Sequence, residues 1–414
     1  MSPFVDKGWL IIASLFMTGG LIIGVSQYAF GAFVAPLEHD MGWTRTQINL
    51  SLSFMGISNI CAPFIGRLID KYGARRVMIW SIFFFNMSFL LRPFMSQSWH
   101  WYTLSALQFV SFPGAVFLNQ GKLVATWFPR IRGRVMGITS MGNSVGGLIL
   151  APTAAFLVQI IGWQWTYATF GFMGLFLMLF VFIFISDGPK KIHTENYVAA
   201  NSNNLNNQNV HQSKSMDISL TVKEALKTRA FYAIAIGLIA GTFTFSTVLT
   251  QIVPHLNNEG YTITSASLIL SLTASFAIFG KLIFGYLAEK IQVRFVVASS
   301  LIGQALAMIV LVTEPKSAYI WLFISIYGLT YGGLGPLISL IVQDTFGLKH
   351  YASIQGLVTL ASLISFFVGP LMAGMIFDAT ESYRPTFTIM IVLFIFGSII
   401  LTQAKPPKEL QANK

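Results

Sequence analysis

The feature that most constrains this chain is a succession of apolar runs, each long enough to cross a membrane. A helix needs about 20 apolar residues to span the hydrocarbon core of a bilayer, and twelve runs reach that length. They cover 8–36, 46–69, 75–95, 100–126, 133–158, 164–186, 230–254, 264–288, 294–313, 318–344, 350–377 and 385–404. Only 10% of the residues are charged, whereas a soluble domain averages about 25%. The sequence therefore predicts an all-α membrane protein with twelve transmembrane helices.

Basic residues indicate how these helices are oriented. Of the 26 lysines and arginines, 20 lie in loops on the side of the two termini, four lie on the other side, and Lys122 and Lys281 lie inside runs. Because basic residues in short loops stay in the cytoplasm, we expect both termini to be cytoplasmic. The net charge of +11 then reflects topology, and no nucleic-acid partner is expected. The first run is too long for a signal peptide, so we expect a multi-pass protein of the cell (inner) membrane.

The two halves of the chain repeat one another. A shift of 218 positions aligns Pro36 and 42–44 with Pro254 and 260–262. A shift of 219 aligns Gly66, Asp70 and Lys71 with Gly285, Glu289 and Lys290. This pattern indicates a six-helix bundle duplicated in the same orientation, with its copies related by a pseudo-two-fold axis. Parallel repeats of this kind transport solutes by rocking around a site at the middle of the membrane.

A polar stretch separates the repeats. We predict an N-terminal bundle over 1–187, a cytoplasmic linker over 188–229, a C-terminal bundle over 230–404 and a cytoplasmic tail over 405–414. Residues 201–216 are mostly Asn, Gln and Ser, so we expect disorder there. Residues 219–229 carry Leu220, Val222 and Leu226 together with basic residues and favour a short amphipathic helix on the inner surface. The linker is either an inert hinge or a regulatory segment.

The loop between the second and third runs carries a motif that we interpret as a short basic hairpin. Its defining residues are Gly66, Asp70, Lys71, Gly73, Arg75 and Arg76. The spacing resembles the loop signature of the major facilitator superfamily, with Ala74 in one basic position, and Glu289 and Lys290 occupy the corresponding loop of the second half. The resemblance covers the whole chain and implies the major facilitator fold and small-molecule transport.

Three further stretches resemble the branch of monocarboxylate transporters and oxalate–formate antiporters. They are 30–36, 42–45, and 127–128 followed by Gly137, Gly142, Gly146 and Pro152. This resemblance implies a symporter or antiporter that couples its substrate to a proton or a counter-anion. Proton-coupled members of the branch place a lysine and an aspartate where this chain has Ala32 and Ala277. A proton route through a buried carboxylate is therefore not predicted.

Lys281 is the principal candidate for contact with a substrate. A charge inside a bilayer costs roughly 2.5–3.5 kcal/mol on insertion scales and marks a functional position by default. At this position, four residues before the glycine that corresponds to Gly285, the monocarboxylate branch has an arginine. That arginine pairs with the substrate carboxylate, and the resemblance implies the same role for Lys281. The alternative is a lysine that extends to the lipid headgroups. We expect that behaviour of Lys122, and an interface anchor at Arg92.

Other polar residues of the runs are candidates for the cavity wall. The resemblance implies that runs one, four, seven and ten line the path. The candidates are Gln27, Tyr28, Asn119, Asn143, Gln251 and Tyr331. Each is alternatively a hydrogen bond between helices, which is the common use of polar side chains in a membrane. The glycines at 332, 333 and 335 favour a flexible point in an outer gate.

These observations predict a secondary active or facilitative transporter that moves a small, monocarboxylate-like organic anion by alternating access. Two alternatives stay open: an exporter of a neutral or hydrophobic solute, and a sensor with a transporter fold that does not transport. The sequence has no P-loop, no metal-spaced His/Cys cluster and no nucleophile motif. We therefore predict no enzyme activity, no cofactor and no metal. The expected partners are the organic anion, a coupled proton or counter-anion, and the lipid bilayer, and we expect a monomer.

Overall fold

A computed structural model describes residues 3–188, 219–313 and 319–405, and helices dominate all three ranges. Eleven helices in these ranges are long and apolar enough to cross a membrane. One of them, Arg132–Phe184, has 53 residues and is interrupted at Gly162, where φ is 78° and ψ is 167°. Because a glycine in this conformation breaks the helix, the segment forms two spans. The prediction of a twelve-helix, all-α membrane protein is confirmed.

We number the membrane helices α1 to α12 in chain order, and several of them consist of consecutive segments. The bounds are Pro3–Ile23, Gly24–Tyr28 and Gly31–Met41 for α1; Arg45–Ser53 and Met55–Tyr72 for α2; Ala74–Leu90 for α3; Ser98–Phe112, Pro113–Phe117 and Leu118–Trp127 for α4; 132–161 for α5; 163–184 for α6; Arg229–Phe243, Thr244–Val248 and Leu249–Asn258 for α7; Ile263–Lys290 for α8; Val293–Thr313 for α9; Ile320–Phe346 for α10; Tyr351–Ala361 and Leu363–Thr380 for α11; and Arg384–Thr402 for α12. The predicted runs match these helices to within a few residues.

The turn within the basic loop motif is shorter than the sequence suggests. We predicted a hairpin over 66–76, but α2 continues to Tyr72 and α3 begins at Ala74. Only Gly73 lies between them, with φ at 91°, a conformation that favours glycine. Gly66 and Asp70 therefore lie on the last turns of α2. The face of the bundle that carries Gly73, Gly188 and Ser219 is called the linker face below.

Corresponding turns of the two halves are built alike. Gly42 ends α1 with φ at 68°, and Gly260 follows α7 with φ at 94°. Two residues later, Thr44 and Thr262 each cap the next helix, and their hydroxyl groups accept a hydrogen bond from a backbone N–H of its first turn. The motif that repeats in the sequence is therefore a repeated helix stop and helix start.

The duplication extends to an unusual helical geometry. In α1, α4 and α7 the middle segment is a five-residue π-helical turn, a rare feature that is frequent at functional sites. The turns of α1 and α7 begin at Gly24 and Thr244, 220 positions apart. Each of the three turns carries one aromatic residue that lines the central cavity described below, namely Tyr28, Phe117 and Phe245.

The two halves, α1–α6 and α7–α12, meet mainly where α2 packs on α11 and where α5 packs on α8. Glycines bring these helices into backbone contact. A Cβ added at Gly66 would collide with the carbonyl oxygen of Ala352, and one at Gly137 would lie 2.5 Å from the carbonyl oxygen of Lys281. Small residues permit such close approach between membrane helices. The halves are therefore in tight contact on the linker-face side of the bundle.

The described end of the linker packs against the C-terminal half. Residues Val222–Leu226 form a helix with a capping box between Thr221 and Glu224. The hydroxyl of Ser219 accepts hydrogen bonds from the backbone N–H groups of Leu348 and Lys349, at 3.1 and 3.2 Å. The predicted amphipathic helix is thus shorter than 219–229. The segment 201–216, for which we predicted disorder, lies outside the described residues.

Arg92 corrects one expectation. We predicted an anchor at the membrane interface, but the side chain is only 3% exposed. Its guanidinium donates to Oε1 of Gln108 at 2.6 Å and lies 4.6–4.8 Å from the ring centres of Phe89, Trp101 and Tyr167. Aromatic faces attract a cation, more strongly when it is removed from water. Arg92 therefore joins α3, α4 and α6 inside the N-terminal half.

Candidate functional site

A cavity of about 480 Å³ lies between the two halves. Residues of α1, α2, α4 and α5 line one side of it, and residues of α7, α8, α10 and α11 line the other. Pockets that bind small molecules typically measure roughly 300–1,000 Å³ and are mostly apolar with a few polar groups. The size and position of this cavity suit a small solute held between the two halves.

The pseudo-two-fold axis passes through this cavity. Five pairs of lining residues, one from each half, are each separated by 219 positions in the sequence. The pairs are Ile23 and Thr242, Gln120 and Ser339, Met136 and Gln355, Ser140 and Thr359, and Asn143 and Ser362. The same shift that aligns the loop motifs therefore aligns the cavity wall.

Lys281 breaks this symmetry, because the equivalent position of the N-terminal half is Ala62. Among the described residues that line the cavity, Lys281 is the only one with a formal charge. Its amine crosses to α5, where it donates to the carbonyl oxygen of Ser140 at 3.1 Å and to Oγ of Ser144 at 2.5 Å. The side chain therefore lies in the cavity and does not extend to the lipid headgroups.

The partners of the Lys281 amine are neutral, and no carboxylate lies within ion-pair distance of it in the part of the chain described here. A partly buried cation without a counter-charge is costly. A second polar group, Gln120, donates from Nε2 to Oγ1 of Thr139 at 2.5 Å and to Oγ of Ser140 at 3.1 Å. These contacts hold α4 and α5 in place behind the amine, which leaves a site suited to an anion.

Aromatic residues line the part of the cavity that is farther from the linker face. Tyr28, Phe245, Tyr331 and Phe366 belong to its wall, whereas Phe117 is ten residues from the end of α4 at the linker face and lies about level with Lys281. The rings of Phe245 and Tyr331 pack edge to face with their centres 6.2 Å apart. The cavity is thus amphipathic, with the amine of α8 and several amides and hydroxyls toward the linker face and aromatic rings beyond them.

Five of the seven predicted site residues line the cavity, namely Gln27, Tyr28, Asn143, Lys281 and Tyr331. The other two are not among its lining residues. Asn119 is fully buried, and its amide nitrogen donates to the carbonyl oxygen of Gly114 inside α4. Gln251 lies beyond the π-turn of α7, on the segment Leu249–Asn258.

Several lining residues were not predicted from the sequence. They are small or neutral polar residues that occur throughout membrane helices: Ser58, Asn59, Gln120, Ser140, Ser144, Ser339, Gln355 and Thr359. The internal repeat carries the signal that could have found one of their neighbours. Adding 219 to Asn143 gives Ser362, which lines the cavity on the opposite half.

A polar cluster closes the cavity toward the linker face. Oδ1 of Asp70 accepts a hydrogen bond from the amine of Lys122 at 2.8 Å. Its Oδ2 accepts from the backbone N–H and the hydroxyl of Ser353, at 2.8 and 2.7 Å, on the first turn of α11. Lys122 also donates to the carbonyl oxygen of Leu348 at 3.0 Å. The expected extension of Lys122 to the lipid headgroups is wrong, since its amine joins the two halves.

Two ion pairs reinforce this closure. Arg132 binds Asp344 at 3.1 Å, and Arg134 binds Glu289 at 2.8 Å, in each case across the halves. The remaining motif residues stay within their own half. Arg75 donates its backbone N–H to Asp187 at 2.7 Å. The amine of Lys71 lies over the ring of Tyr72, and the amine of Lys290 lies over the ring of Tyr286. Arg76 is exposed.

On the opposite face of the bundle, the hydrogen bond from Trp163 to Asp40 and the ion pair of Arg384 with Glu259 each lie within one half. There the segments Gly31–Met41 and Leu249–Asn258 make their main contacts within their own halves. The hydrogen bonds between the halves cluster at the level of Lys281 and between it and the linker face. The cavity is therefore closed toward the linker face and accessible from the opposite face.

No aspartate or glutamate is among the described residues that line the cavity. By the resemblance described above, proton-coupled transporters have an aspartate at the position of Ala277. Ala277 is 1% exposed, and its backbone packs against Gly332 of α10. Within the described ranges, no group of three His, Cys, Asp or Glu residues could hold a metal ion. The chemistry of the site is thus that of an amine, neutral polar groups and aromatic rings.

Comparisons with known proteins agree with this architecture. The family model of the Major Facilitator Superfamily matches residues 16–367 and, in a second match, 234–414. The chain is 23% identical over 403 residues to the uncharacterized MFS-type transporter YcxA of Bacillus subtilis (strain 168), covering 95% of this chain and 94% of that protein. It is 23% identical over 407 residues to monocarboxylate transporter 11 of Homo sapiens, covering 95% of this chain and 82% of that protein. Among solved structures, the proton:xylose symporter XylE superposes with a TM-score of 0.76 at 13% identity over 99% of both chains.

Proposed function

The chain belongs to the Major Facilitator Superfamily, and from this premise we propose that it is a secondary active or facilitative transporter of a small organic anion. The family and the many apolar helices make it an integral, multi-pass membrane protein. The observation that carries the choice of an anion is the Lys281 amine, which lies in the central cavity with neutral partners.

Electrostatics favour an anion at this position. An ammonium and a carboxylate about 4 Å apart attract each other by roughly 4 kcal/mol at an effective dielectric constant near 20, before the cost of desolvation. A cation would be repelled by a similar amount. The carbonyl of Ser140 and the hydroxyl of Ser144 orient the amine without neutralising it. The similarity to a monocarboxylate transporter is consistent with a carboxylate as the anionic group.

We further propose that the linker face is cytoplasmic, because most lysines and arginines lie in its loops. The structure then represents a state that receives substrate from outside the cell. Rocking of the bundle 1–187 against the bundle 230–404 would separate Asp70 from Ser353 and open the cavity to the cytoplasm. The linker 188–229 joins the two moving parts. A parallel repeat around a site at mid-membrane supports this mechanism.

Uptake into proteoliposomes tests the function. Purified protein is reconstituted, loaded with one carboxylate and assayed for counterflow of labelled carboxylates, together with neutral amides of the same size. We expect uptake of the carboxylates but not the amides, and at least a tenfold loss in Lys281→Gln. The matched control is Lys223→Gln, which removes an exposed lysine of the linker. Undiminished carboxylate flux in a folded Lys281→Gln protein would reject Lys281 as the anion contact.

The same vesicles test the coupling. The described cavity wall has no carboxylate that could carry a proton, so we expect exchange of anions to proceed without a pH gradient. An imposed gradient that accelerates uptake several-fold would instead show proton coupling. Uptake of the neutral amides at the rate of the acids would favour the alternative, a carrier of neutral or hydrophobic solutes.

A further inference from the structure

We propose that the transported anion is a carboxylate with a bulky apolar body, such as an aromatic ring, and that Gly335 provides the space for that body. This inference rests on the proposed function, since it names the class of anion that the same cavity accepts. It follows from the division of the cavity into a polar and an aromatic part and from an opening in the wall of α10.

The Lys281 amine and most of the aromatic groups lie at different depths. Lys281 is nine residues from the end of α8 at the linker face, and Gln355 is four residues from the start of α11 there. Tyr331 and Phe366 are each 15 residues from the ends of their helices at that face. A carboxylate that binds the amine therefore has its remaining atoms beside aromatic rings. Such rings provide large apolar contact areas and favour edge or offset stacking with another ring.

Gly335 leaves a gap in the wall between the levels of Lys281 and Tyr331, 11 residues from the end of α10 at the linker face. It lines the cavity one turn from Tyr331, and a Cβ built at this position has no atom within 4 Å. The neighbouring glycines differ, because a Cβ at Gly332 would collide with the backbone of Ala277 and one at Gly333 would lie 2.5 Å from Phe284. The three glycines predicted to form one flexible point therefore have separate surroundings. Gly332 and Gly335 both line the cavity, but of the three only Gly335 has open space for a side chain.

The backbone does not require glycine at position 335. Its φ is not in the left-handed region that favours glycine. Pro336 follows it, and a residue before proline is restricted, but four of the five other prolines inside helices of the described residues follow alanine or valine. These pairs are Ala35–Pro36, Ala62–Pro63, Ala151–Pro152 and Val253–Pro254. The fifth, Pro370, follows Gly369, where an added Cβ would collide with the hydroxyl of Thr247. A helix with glycine in its interior is less stable than one with alanine. Space for a ligand is therefore the physical reason that the structure offers for a glycine at position 335.

Paired substrates test the proposal. Acetate is compared with phenylacetate, and pyruvate with phenylpyruvate, so that the carboxylate is constant and only the apolar body changes. In wild type we expect the phenyl acids to be taken up at least tenfold more efficiently, measured as kcat/KM for counterflow. In Gly335→Leu we expect at least a tenfold loss for the phenyl acids and less than a twofold change for acetate and pyruvate. Gly335→Ala should give a smaller loss for the phenyl acids, and it replaces the leucine variant in this test if that protein folds poorly.

The matched control is Gly374→Leu. Gly374 is also a glycine of a membrane helix with no atom within 4 Å of an added Cβ, but it lies on the exposed surface of α11 outside the cavity. We expect this variant to transport all four acids as wild type does.

Two outcomes overturn the proposal while the proposed function stands. One is transport that depends on Lys281 but shows no preference for the phenyl acids. The other is an equal loss of large and small acids in Gly335→Leu and Gly335→Ala, with both proteins folded. If no carboxylate is carried in a manner that depends on Lys281, the proposed function itself fails, and the inference falls with it.

Discussion

Replacement of Asp70 by asparagine should open the linker face. The carboxylate accepts three hydrogen bonds, one from Lys122 and two from Ser353, at 2.7–2.8 Å, and the two from Ser353 join the halves. The Asp70 side chain is 8% exposed, so solvent does not replace these bonds in the closed state. An asparagine has only one side-chain oxygen to accept hydrogen bonds. Its NH₂ group would face either the Lys122 amine or the Ser353 donors.

The size of the effect follows from these contacts. Hydrogen bonds to a charged group contribute about 1.5–3 kcal/mol each, against about 0.5–1.5 kcal/mol for neutral ones. A carboxylate at the first turn of α11 adds about 0.3–1 kcal/mol through the helix dipole. We therefore expect Asp70→Asn to lose about 2–3 kcal/mol of contact between the halves. Since 1.4 kcal/mol is a tenfold change, the closed population should fall about 30- to 140-fold relative to the open one.

Distances between spin labels measure this shift. The native Cys61 is replaced by serine, and labels are attached at Tyr72 and Ile291, which are 48% and 49% exposed on the linker face of the two halves. Double electron–electron resonance should show a longer distance in Asp70→Asn. The control is Asp187→Asn, which removes a contact to Arg75 within one half and should leave the distance unchanged. An unchanged distribution in a folded Asp70→Asn protein would refute our reading of the contact.

Two further variants test the packing of the helices. Arg92→Met removes the cation from its ring of aromatic residues and leaves Gln108 without its donor. Thermal unfolding in detergent should show a loss of about 2–4 kcal/mol, from the lost cation–π contacts and the unsatisfied amide oxygen. The KM of the folded fraction should not change, and a changed KM would place Arg92 in the transport path. Gly137→Val puts a branched side chain where a Cβ is already 2.5 Å from the carbonyl oxygen of Lys281. It should separate α5 from α8 and lengthen the same label distance, whereas Gly374→Val should not, and a variant that kept the closed distance would show that the glycine contact does not determine closure.

The helices could be predicted closely because membrane crossing imposes a simple rule. Each apolar run must be about 20 residues long and is bounded by polar residues, so its ends are visible in the sequence. The twelfth helix was also recoverable, because Gly162 separates two runs that are continuous in hydrogen bonding. The repeated Gly-x-Thr turns at Gly42 and Gly260 were visible for the same kind of local reason.

The direction in which a polar side chain points was not predictable to the same degree. Lys122 and Lys281 are both lysines near one end of a run, yet the amine of Lys122 binds Asp70 and the amine of Lys281 enters the cavity. Arg92 stands at a helix end and is nevertheless buried among rings of three helices. Asn119 follows a π-turn that changes the rotation of α4, so a regular helical period misplaces it. These outcomes depend on tertiary packing, which a single run of sequence does not contain.

The most direct test is the affinity of purified protein for the carboxylate that it transports, measured by calorimetric titration beside the neutral methyl ester of the same acid. Loss of one charged hydrogen bond should cost about 1.5–3 kcal/mol. We therefore expect the Kd of the carboxylate to rise about 10- to 140-fold in Lys281→Gln and the ester to bind both proteins equally weakly. Equal affinity of wild type and a folded Lys281→Gln protein for the carboxylate would contradict an anion site at Lys281.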